Sequence, residues 1–244
     1  MPIGVELIDH MGSDLSVVNA ARVSFAKASE YIYVTPGGME VTPDEDFDYS
    51  RTKDCGYGRG ISERDQKLIK YLATHNHWSP FAHAFASFRI KAPIFVARQL
   101  GKHQVGLAWN EVSRRYVDDE PEFFEPKVWR KRADDVKQGS SEDAVDKPGF
   151  SPSEAYDVAM AEALSTYYYL LDAGVCPEQA RMVLPQSMLT SWIWSGSLMA
   201  FSRVCNLRLD SHTQVETREV AKMISDQLAP LFPHSWKALS CTSS

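Results

Sequence analysis

Cysteine is scarce in this chain, and its few thiols are widely spaced. Only Cys55, Cys176, Cys205 and Cys241 occur among 244 residues, and none of them forms a CxxC pair. Tetrahedral zinc sites take closely spaced cysteines, and small secreted domains take dense disulfides, so neither class fits this spacing. We therefore expect a reduced, cytoplasmic protein without a metal site.

Long apolar runs and an excess of positive charge are also missing. No stretch approaches the roughly 18 apolar residues that a membrane span needs, and the first residues do not form a secretory signal. The formal net charge is -6, which does not favour binding to nucleic acid or to an acidic membrane. We expect neither of these partners.

No glycine fingerprint follows a strand, which argues against a Rossmann domain. The irregular order of strand and helix patterns predicts one α+β domain over residues 1–244, with a mainly antiparallel sheet flanked by helices and no Rossmann motif. Helices are predicted over about 93–103, 153–174, 192–205 and 211–228. Inserted loops are predicted over about 35–60 and 130–150. Turn-forming and charged residues are frequent there, and the apolar residues show no clear helix or strand period.

Basic residues concentrate in one run of this acidic chain. Positions 89 to 115 contain a single acid, Glu111, and six bases, which are Arg89, Lys91, Arg98, Lys102, Arg114 and Arg115. Arginine suits phosphate because its planar fork donates two parallel hydrogen bonds, and "SRR" at 113–115 adds a hydroxyl. The run therefore favours an anion site, although a solvated charged face is the commoner explanation of such a run.

A second polar set lies far along the chain. Arg181 interrupts the apolar stretch "ARMVLP", and "NLRLDSHTQVETRE" contains Arg208, His212 and Arg218. Three histidines occur in "HNHWSPFAH", but their spacing is unlike that of a metal site and no acid completes them. His212 fits either a functional role or an ordinary structural one.

Five segments in a fixed order resemble the flavin-dependent thymidylate synthases. They are "VELIDHMGSDLSVVNAARVSF", "SPFAHAFASFRIKAPIFVARQ", "NEVSRRY", "ARMVLPQ" and "NLRLDSHTQVETRE". The resemblance implies a single α/β domain that forms a homotetramer, with sites built between subunits. It also implies methylation of dUMP to dTMP, with methylenetetrahydrofolate as carbon donor, bound FAD as cofactor and NADPH as its reductant.

The same resemblance implies a role for individual residues. The dUMP phosphate would be held by "SRR", and Arg181 would come from a neighbouring subunit. Arg208 would be the catalytic residue, because it matches the arginine that favours loss of the pyrimidine N3 proton. The residues implied for dUMP are Gln99, Lys102, Glu111, Ser113, Arg114, Arg115, Arg181 and Arg208, and those implied for FAD are Ser79, Lys102, His103, Gln104, Glu111, Ser197 and Arg203.

The chain departs from the family pattern at three places. The family signature begins Arg-His-Arg, seven residues before a serine, whereas this chain has "KHQ" eight residues before Ser113. Ala82 stands where family members often carry glutamate, and Arg203 stands where histidine or asparagine is more usual.

Two alternative functions stay open: a related flavoenzyme that modifies another pyrimidine nucleotide, and a non-catalytic nucleotide-binding protein.

The chemistry of uracil separates two mechanisms. C5 is weakly nucleophilic, so either a cysteine adds to C6, or a buried cation stabilises charge on the ring while a flavin supplies hydride. Cys205 is the only thiol near basic residues, and no cysteine has the Pro-Cys-His setting of the cysteine-dependent thymidylate synthases. We therefore predict catalysis through Arg208 without an enzyme thiolate, and phosphate binding by Ser113 instead of nucleophilic attack.

Overall fold

The computed structural model describes residues 3–35, 37, 40–41, 58–117, 119–133, 140–145 and 148–240. The strands in these ranges are β1 Gly4–Met11, β2 Ile32–Val34, β3 Glu40–Val41, β4 Gly58–Gly60, β5 Phe85–Pro93, β6 Leu107–Glu111, β7 Arg130–Arg132, β8 Ser140–Ala144 and β9 Leu189–Ser197. The helices are α1 Asp14–Arg22, α2 Glu63–Thr74, α3 Ile94–Leu100, α4 Pro152–Asp172, α5 Pro177–Ala180, α6 Leu198–Arg208, α7 Val215–Leu231 and α8 Pro233–Ser240. Short 3-10 helices cover Val23–Phe25, Ser79–His83 and Arg181–Val183.

The chain divides into two compact units. The first comprises Met1–Ile8, Ser87–Ser195 and Val204–Ile224, and the second comprises Asp9–Ala86, Gly196–Arg203 and Ser225–Ser244. Each unit is therefore assembled from segments that are distant in sequence. The single domain over residues 1–244 stays a prediction.

The first unit carries a sheet whose strands lie in the order β1-β5-β9-β6. Successive side chains of a strand point to opposite faces, and β5 accordingly buries Phe88, Ile90 and Ala92 while Arg89 between them is exposed. Strand β9 buries Trp192 and Trp194 in the same alternation. These residues belong to the buried apolar core.

The smaller sheets, β3-β2-β4 and β7-β8, are antiparallel. Together with the helices, they confirm the predicted α+β class. Among the described residues, no helix is long and apolar enough to cross a membrane.

The prediction of a helix over 192–205 is wrong in its first part. Residues up to Ser197 belong to β9, and α6 begins only at Leu198. The segment "SWIWSGSLMAF" is apolar enough to fit either period, and pairing with β5 and β6 selects the strand for its first half. For a short apolar run, pairing with strands distant in sequence decides between helix and strand.

The predicted loop over 130–150 contains regular structure as well. β7 pairs with β8 in an antiparallel hairpin whose register places Arg130 opposite Ala144 and Arg132 opposite Ser140. The prediction of an irregular loop is therefore wrong for these residues, and the remainder at 134–139 and 146–147 lies outside the described residues. The other predicted loop, over about 35–60, contains the short strands β3 and β4. Its residues 42–57 lie outside the described residues.

In the second unit, α1 packs against α2 and α8. The carboxylate of Asp14, at the start of α1, is buried and accepts hydrogen bonds from the backbone N–H groups of His234 at 2.9 Å and Ser235 at 2.8 Å. These donors belong to the first turn of α8, where a helix leaves N–H groups unpaired and favours negative charge. A single side chain therefore caps a helix that begins more than 200 residues later.

We expect Asp14→Ala to lower the free energy of unfolding by about 2–3 kcal/mol, because it leaves two N–H groups of α8 without a charged acceptor. The control is Asp9→Ala, since Asp9 is exposed and accepts a hydrogen bond from the backbone N–H of its neighbour His10. This control should stay within about 0.5 kcal/mol of the wild type. Urea unfolding followed by circular dichroism measures both values, and equal effects of the two variants would contradict the capping role.

Candidate active site

Arg208, the last residue of α6, is held by two neutral acceptors from the end of α3 and the turn after it. Its Nε–H donates to Nε2 of His103 at 3.0 Å, and its Nη2 donates to the main-chain oxygen of Gln99 at 3.1 Å. The last carbonyl groups of a helix have no partner within the helix, so that of Gln99 is available. Burial lowers the pKa of Arg208. The geometry orients this guanidinium, and no carboxylate in the described part of the chain pairs with it.

His103 must be neutral to make this contact, because a protonated Nε2 could not accept the hydrogen bond from Arg208. Burial lowers the pKa of His103, and the positive charge of Arg208 lowers it further. Both causes favour the neutral imidazole, and the hydrogen bond that Nε2 accepts places its one proton on Nδ1. The two side chains therefore stabilise each other only while the imidazole is uncharged.

The side chain of Gln99 links α3 to the start of α7. Its Nε2 donates to Oε1 of Gln214, and its Oε1 accepts from the hydroxyl of Thr217 at 3.1 Å. Both ends of the amide are therefore occupied by the chain itself. These contacts immobilise the residue whose main-chain oxygen holds Arg208.

The turn that joins α3 to β6 contains the "KHQ" segment. Lys102 and Gln104 are exposed, and Gly106 adopts φ 75°, a backbone conformation that favours glycine. The turn therefore places His103 against Arg208 and leaves the side chains on either side of it open to solvent.

Arg208 lines a cavity of about 760 Å³, called the Arg208 cavity below. Its walls are Gln99, Arg130 of β7, Ser140 of β8, residues 206–208, residues 210–215 and Arg218. Three guanidinium groups face it against one carboxylate, that of Asp210, which pairs with Nδ1 of His212 at 2.9 Å. Hydrogen bonds from the backbone and then the ring of His212 lower the pKa of Asp210. The remaining positive charge suits an anionic ligand.

Glu111 lines a second cavity of about 670 Å³ together with Arg114 and Arg181, called the Glu111 cavity below. The carboxylate of Glu111 accepts from Nε1 of Trp109 at 3.2 Å and from the hydroxyl of Thr190 at 2.8 Å. The indole of Trp109 stacks on that of Trp192, with ring centroids 4.4 Å apart. One donor for each oxygen and a packed aromatic support fix the direction of this carboxylate.

The three residues of "SRR" have different surroundings. Arg114 is largely buried and pairs with the carboxylate of Asp119 at 2.9 Å. Arg115 is exposed, and its Nε lies 3.4 Å from the hydroxyl of Ser113. Ser113 and Arg115 can therefore present a hydroxyl and a guanidinium to the same anion, whereas the charge of Arg114 is already matched.

The chain matches known proteins over most of its length. Residues 6–234 match the family model described as thymidylate synthase complementing protein. The flavin-dependent thymidylate synthase of Thermus thermophilus is 34% identical over 234 residues, which cover 96% of this chain and 74% of the relative. The flavin-dependent thymidylate synthase of Thermotoga neapolitana is also 34% identical, and the alignment covers 96% of this chain and 89% of the relative. This chain belongs to the flavin-dependent thymidylate synthase family.

Among solved structures, the chain is similar to the UMP/dUMP methylase PolB from Streptomyces cacaoi bound with 5-Br dUMP. The TM-score is 0.74 at 28% identity, and the alignment covers 99% of this chain and 96% of that chain. The same protein bound with 5-Br UMP gives a TM-score of 0.73 at 27% identity. The family resemblance drawn from the five sequence segments is therefore confirmed.

In this member of the thymidylate synthase family, three of the residues that the resemblance implies for FAD binding belong to the second unit. Ser79 is exposed and lines a cavity of about 1030 Å³ whose walls include Phe25, Tyr71 and Trp78. Ser197 is buried, and its hydroxyl accepts from the backbone N–H of Ala200 in α6. Arg203 is exposed. Their roles toward FAD stay predictions.

The surroundings of Cys205 argue against nucleophilic catalysis by its thiol. Cys205 is buried, its thiol lies 3.5 Å from the main-chain oxygen of Ala221, and burial raises its pKa to about 12. A thiol with this pKa is almost entirely protonated at neutral pH. Cys176 is exposed, and Cys55 and Cys241 lie outside the described residues. Burial removes Cys205, the strongest candidate in the sequence, from consideration as a thiolate.

Sequence reasoning missed the residues that support the site. Trp109 and Thr190 hold Glu111, and Thr217 holds Gln99 across 118 positions. Trp109 precedes "NE" in the matched segment and could have drawn attention by that position. Thr190 and Thr217 carry no signal of their own, because their role depends on which strand or helix the fold brings beside them.

Lowering the pH should uncouple Arg208 from His103. Because the pKa of His103 in the folded chain lies below the ordinary value of 6.5, its contribution to stability is complete above pH 6.5 and is lost as pH falls toward the folded-state pKa. We expect the imidazole protons of His103 to titrate below pH 6.5 by NMR. Thermal stability should decline over the same range, and His103→Gln should remove that part of the decline. A His103 that titrates at or above its ordinary pKa would contradict the neutral acceptor.

Proposed function

We propose that this protein methylates dUMP to dTMP in the cytoplasm, with FAD as cofactor, methylenetetrahydrofolate as carbon donor and NADPH as reductant. Family membership and the similarity to PolB, a UMP/dUMP methylase, support the reaction class. The observation that carries the proposal is the half-buried Arg208, which faces a cavity with its charge oriented but unmatched by any described carboxylate. The reaction needs such a cation to stabilise negative charge on the pyrimidine.

The described residues fit a flavin dinucleotide. In the first unit, the exposed Lys102 and Gln104 flank His103 and offer polar side chains to an anionic dinucleotide. In the second unit, the cavity beside Ser79 has aromatic walls that suit a planar ring. Bound FAD would supply the hydride that completes the methyl group. We assign its binding to Ser79, Lys102, His103, Gln104, Glu111, Ser197 and Arg203.

The residues of this chain bind and polarise the nucleotide. Arg208 stabilises the pyrimidine after the ring loses its N3 proton. His103, while its imidazole is neutral, keeps the guanidinium of Arg208 in place. Ser113 and Arg115 hold the phosphate, which accepts charge-assisted hydrogen bonds from both. The full set assigned to dUMP is Gln99, Lys102, Glu111, Ser113, Arg114, Arg115, Arg181 and Arg208. Arg114 contributes mainly by ordering the segment through Asp119.

We also propose a homotetramer whose sites are shared between subunits, with Arg181 supplied by a neighbour. The surface of α4 supports this. Only Tyr167 of its 21 residues is fully buried within one chain, while Val158, Tyr168 and Tyr169 are exposed. An exposed apolar helix face of this length is typical of a subunit interface.

UMP is a second candidate substrate. PolB is described as a methylase of both UMP and dUMP, and one of its two structures contains 5-Br UMP. Assays with dUMP, UMP and dCMP under identical conditions separate the alternatives. Turnover of UMP or dCMP in preference to dUMP would assign this chain to another pyrimidine nucleotide, and tight nucleotide binding without any flavin would indicate a non-catalytic protein.

We expect the purified protein to carry FAD or to take it up when it is supplied. NADPH should bleach the flavin absorbance in the absence of oxygen, and dUMP with methylenetetrahydrofolate should then yield dTMP. Absorbance spectroscopy and product chromatography measure the two steps. A protein that develops no flavin spectrum in excess FAD would disprove the proposal.

Arg115→Ala should weaken dUMP binding by about ten- to a hundred-fold, because it removes a charge-assisted pair to the phosphate. Arg208→Ala should instead lower kcat more than it weakens binding, since its help is greatest when the ring carries charge. Arg89→Ala is the control, because Arg89 belongs to the same basic run but pairs with Glu6 on the surface. Calorimetric titration and steady-state kinetics provide the values. An unchanged dUMP affinity in Arg115→Ala would exclude the phosphate role.

A further inference from the structure

The β7–β8 hairpin is fastened to α7 by one arginine. Arg130 donates from Nε to the hydroxyl of Ser140 on the opposite strand at 2.8 Å, and from Nη2 to the carboxylate of Glu216 at 2.8 Å. The side chain of Glu216 is 6% exposed and that of Arg130 is 23% exposed. A pair this far from water is expensive to break, because removal of one partner leaves a buried charge unmatched. Arg130 therefore clamps both strands of the hairpin to the first turn of α7.

The same turn of α7 supports Arg208. Thr217, the neighbour of Glu216, donates to the side chain of Gln99, whose main-chain oxygen accepts from Arg208. Arg130 and Ser140 themselves line the Arg208 cavity. The clamp thus connects one wall of this cavity to the helix turn that orients the cation in it.

We propose that Arg130 is a positioning residue for the nucleotide: through Glu216 it fixes the β7–β8 hairpin as a wall of the Arg208 cavity. The inference rests on the proposed function for the identity of the ligand. A fixed wall lowers the cost of binding, because the cavity is already formed before the ligand arrives. Loss of the clamp therefore weakens nucleotide binding without removing any group that stabilises the reacting ring.

Kinetics distinguish this role from simple destabilisation. A variant that is only less stable reduces the amount of folded enzyme, so it lowers the apparent kcat and leaves KM unchanged. A variant that loosens the wall raises KM for the nucleotide and leaves the kcat of flavin-loaded enzyme close to that of the wild type. The measurement is made on FAD-loaded protein, with its concentration taken from flavin absorbance.

The variants are Arg130→Met, Glu216→Gln, the two combined, and Arg130→Lys. Each of the first two should raise KM for dUMP by roughly three- to tenfold. The double variant should be no worse than either single one, because all three lack the same pair. Arg130→Lys should recover part of the affinity. Arg132→Met is the matched control, since Arg132 is exposed on the same strand and does not line the cavity, and it should behave as the wild type.

Hydrogen exchange of the backbone N–H groups in 130–132 and 140–145 tests the clamp without reference to catalysis. We expect faster exchange there in Arg130→Met and wild-type exchange in Arg132→Met. Faster exchange with an unchanged KM for dUMP and UMP would overturn the positioning role, because the clamp would then be structural only. A flavin-loaded wild type that neither binds nor converts any pyrimidine nucleotide would remove the proposed function and this inference with it.

Discussion

The positive charge of Arg208 is the constraint around which this site is arranged. A guanidinium partly withdrawn from water is normally matched by a carboxylate, but here the acceptors are a neutral imidazole and a main-chain oxygen. Two neutral dipoles orient the cation without cancelling its charge. The field of Arg208 therefore remains available in the cavity, where negative charge on a ligand is stabilised more strongly than in bulk water.

Three carboxylates in or beside the two cavities pair with side chains of the chain itself. Asp210 pairs with His212, Glu216 with Arg130 and Asp119 with Arg114. Each pair removes an acid that would otherwise compete with an anionic ligand for an arginine. Glu111 differs from these three, because its donors are the neutral groups of Trp109 and Thr190. Arg114 and Arg130 are thus paired with carboxylates, whereas Arg115, Arg181, Arg208 and Arg218 form no ion pair among the described residues.

The candidate site could be proposed from the sequence because many of its residues occur in short runs. "NEVSRRY" brings Glu111, Ser113 and Arg115 together by chain connectivity alone, and the α+β class followed from the mixed periods. The two wrong secondary-structure predictions have a common cause. Residues 192–197 and the β7–β8 hairpin are strands because of partners elsewhere in the fold, and no local period distinguishes them from a helix or a loop.

The sequence alone was enough to suggest the family, through the resemblance of five ordered segments, and to single out the arginines of the candidate site. Folding decided which arginines keep an unmatched charge, that His103 is a neutral acceptor, and that Cys205 is buried with a raised pKa. It also decided that Arg130, in a segment without any periodic signal, meets Glu216. Burial and charge pairing are properties of residues brought together from distant positions, so no local pattern encodes them.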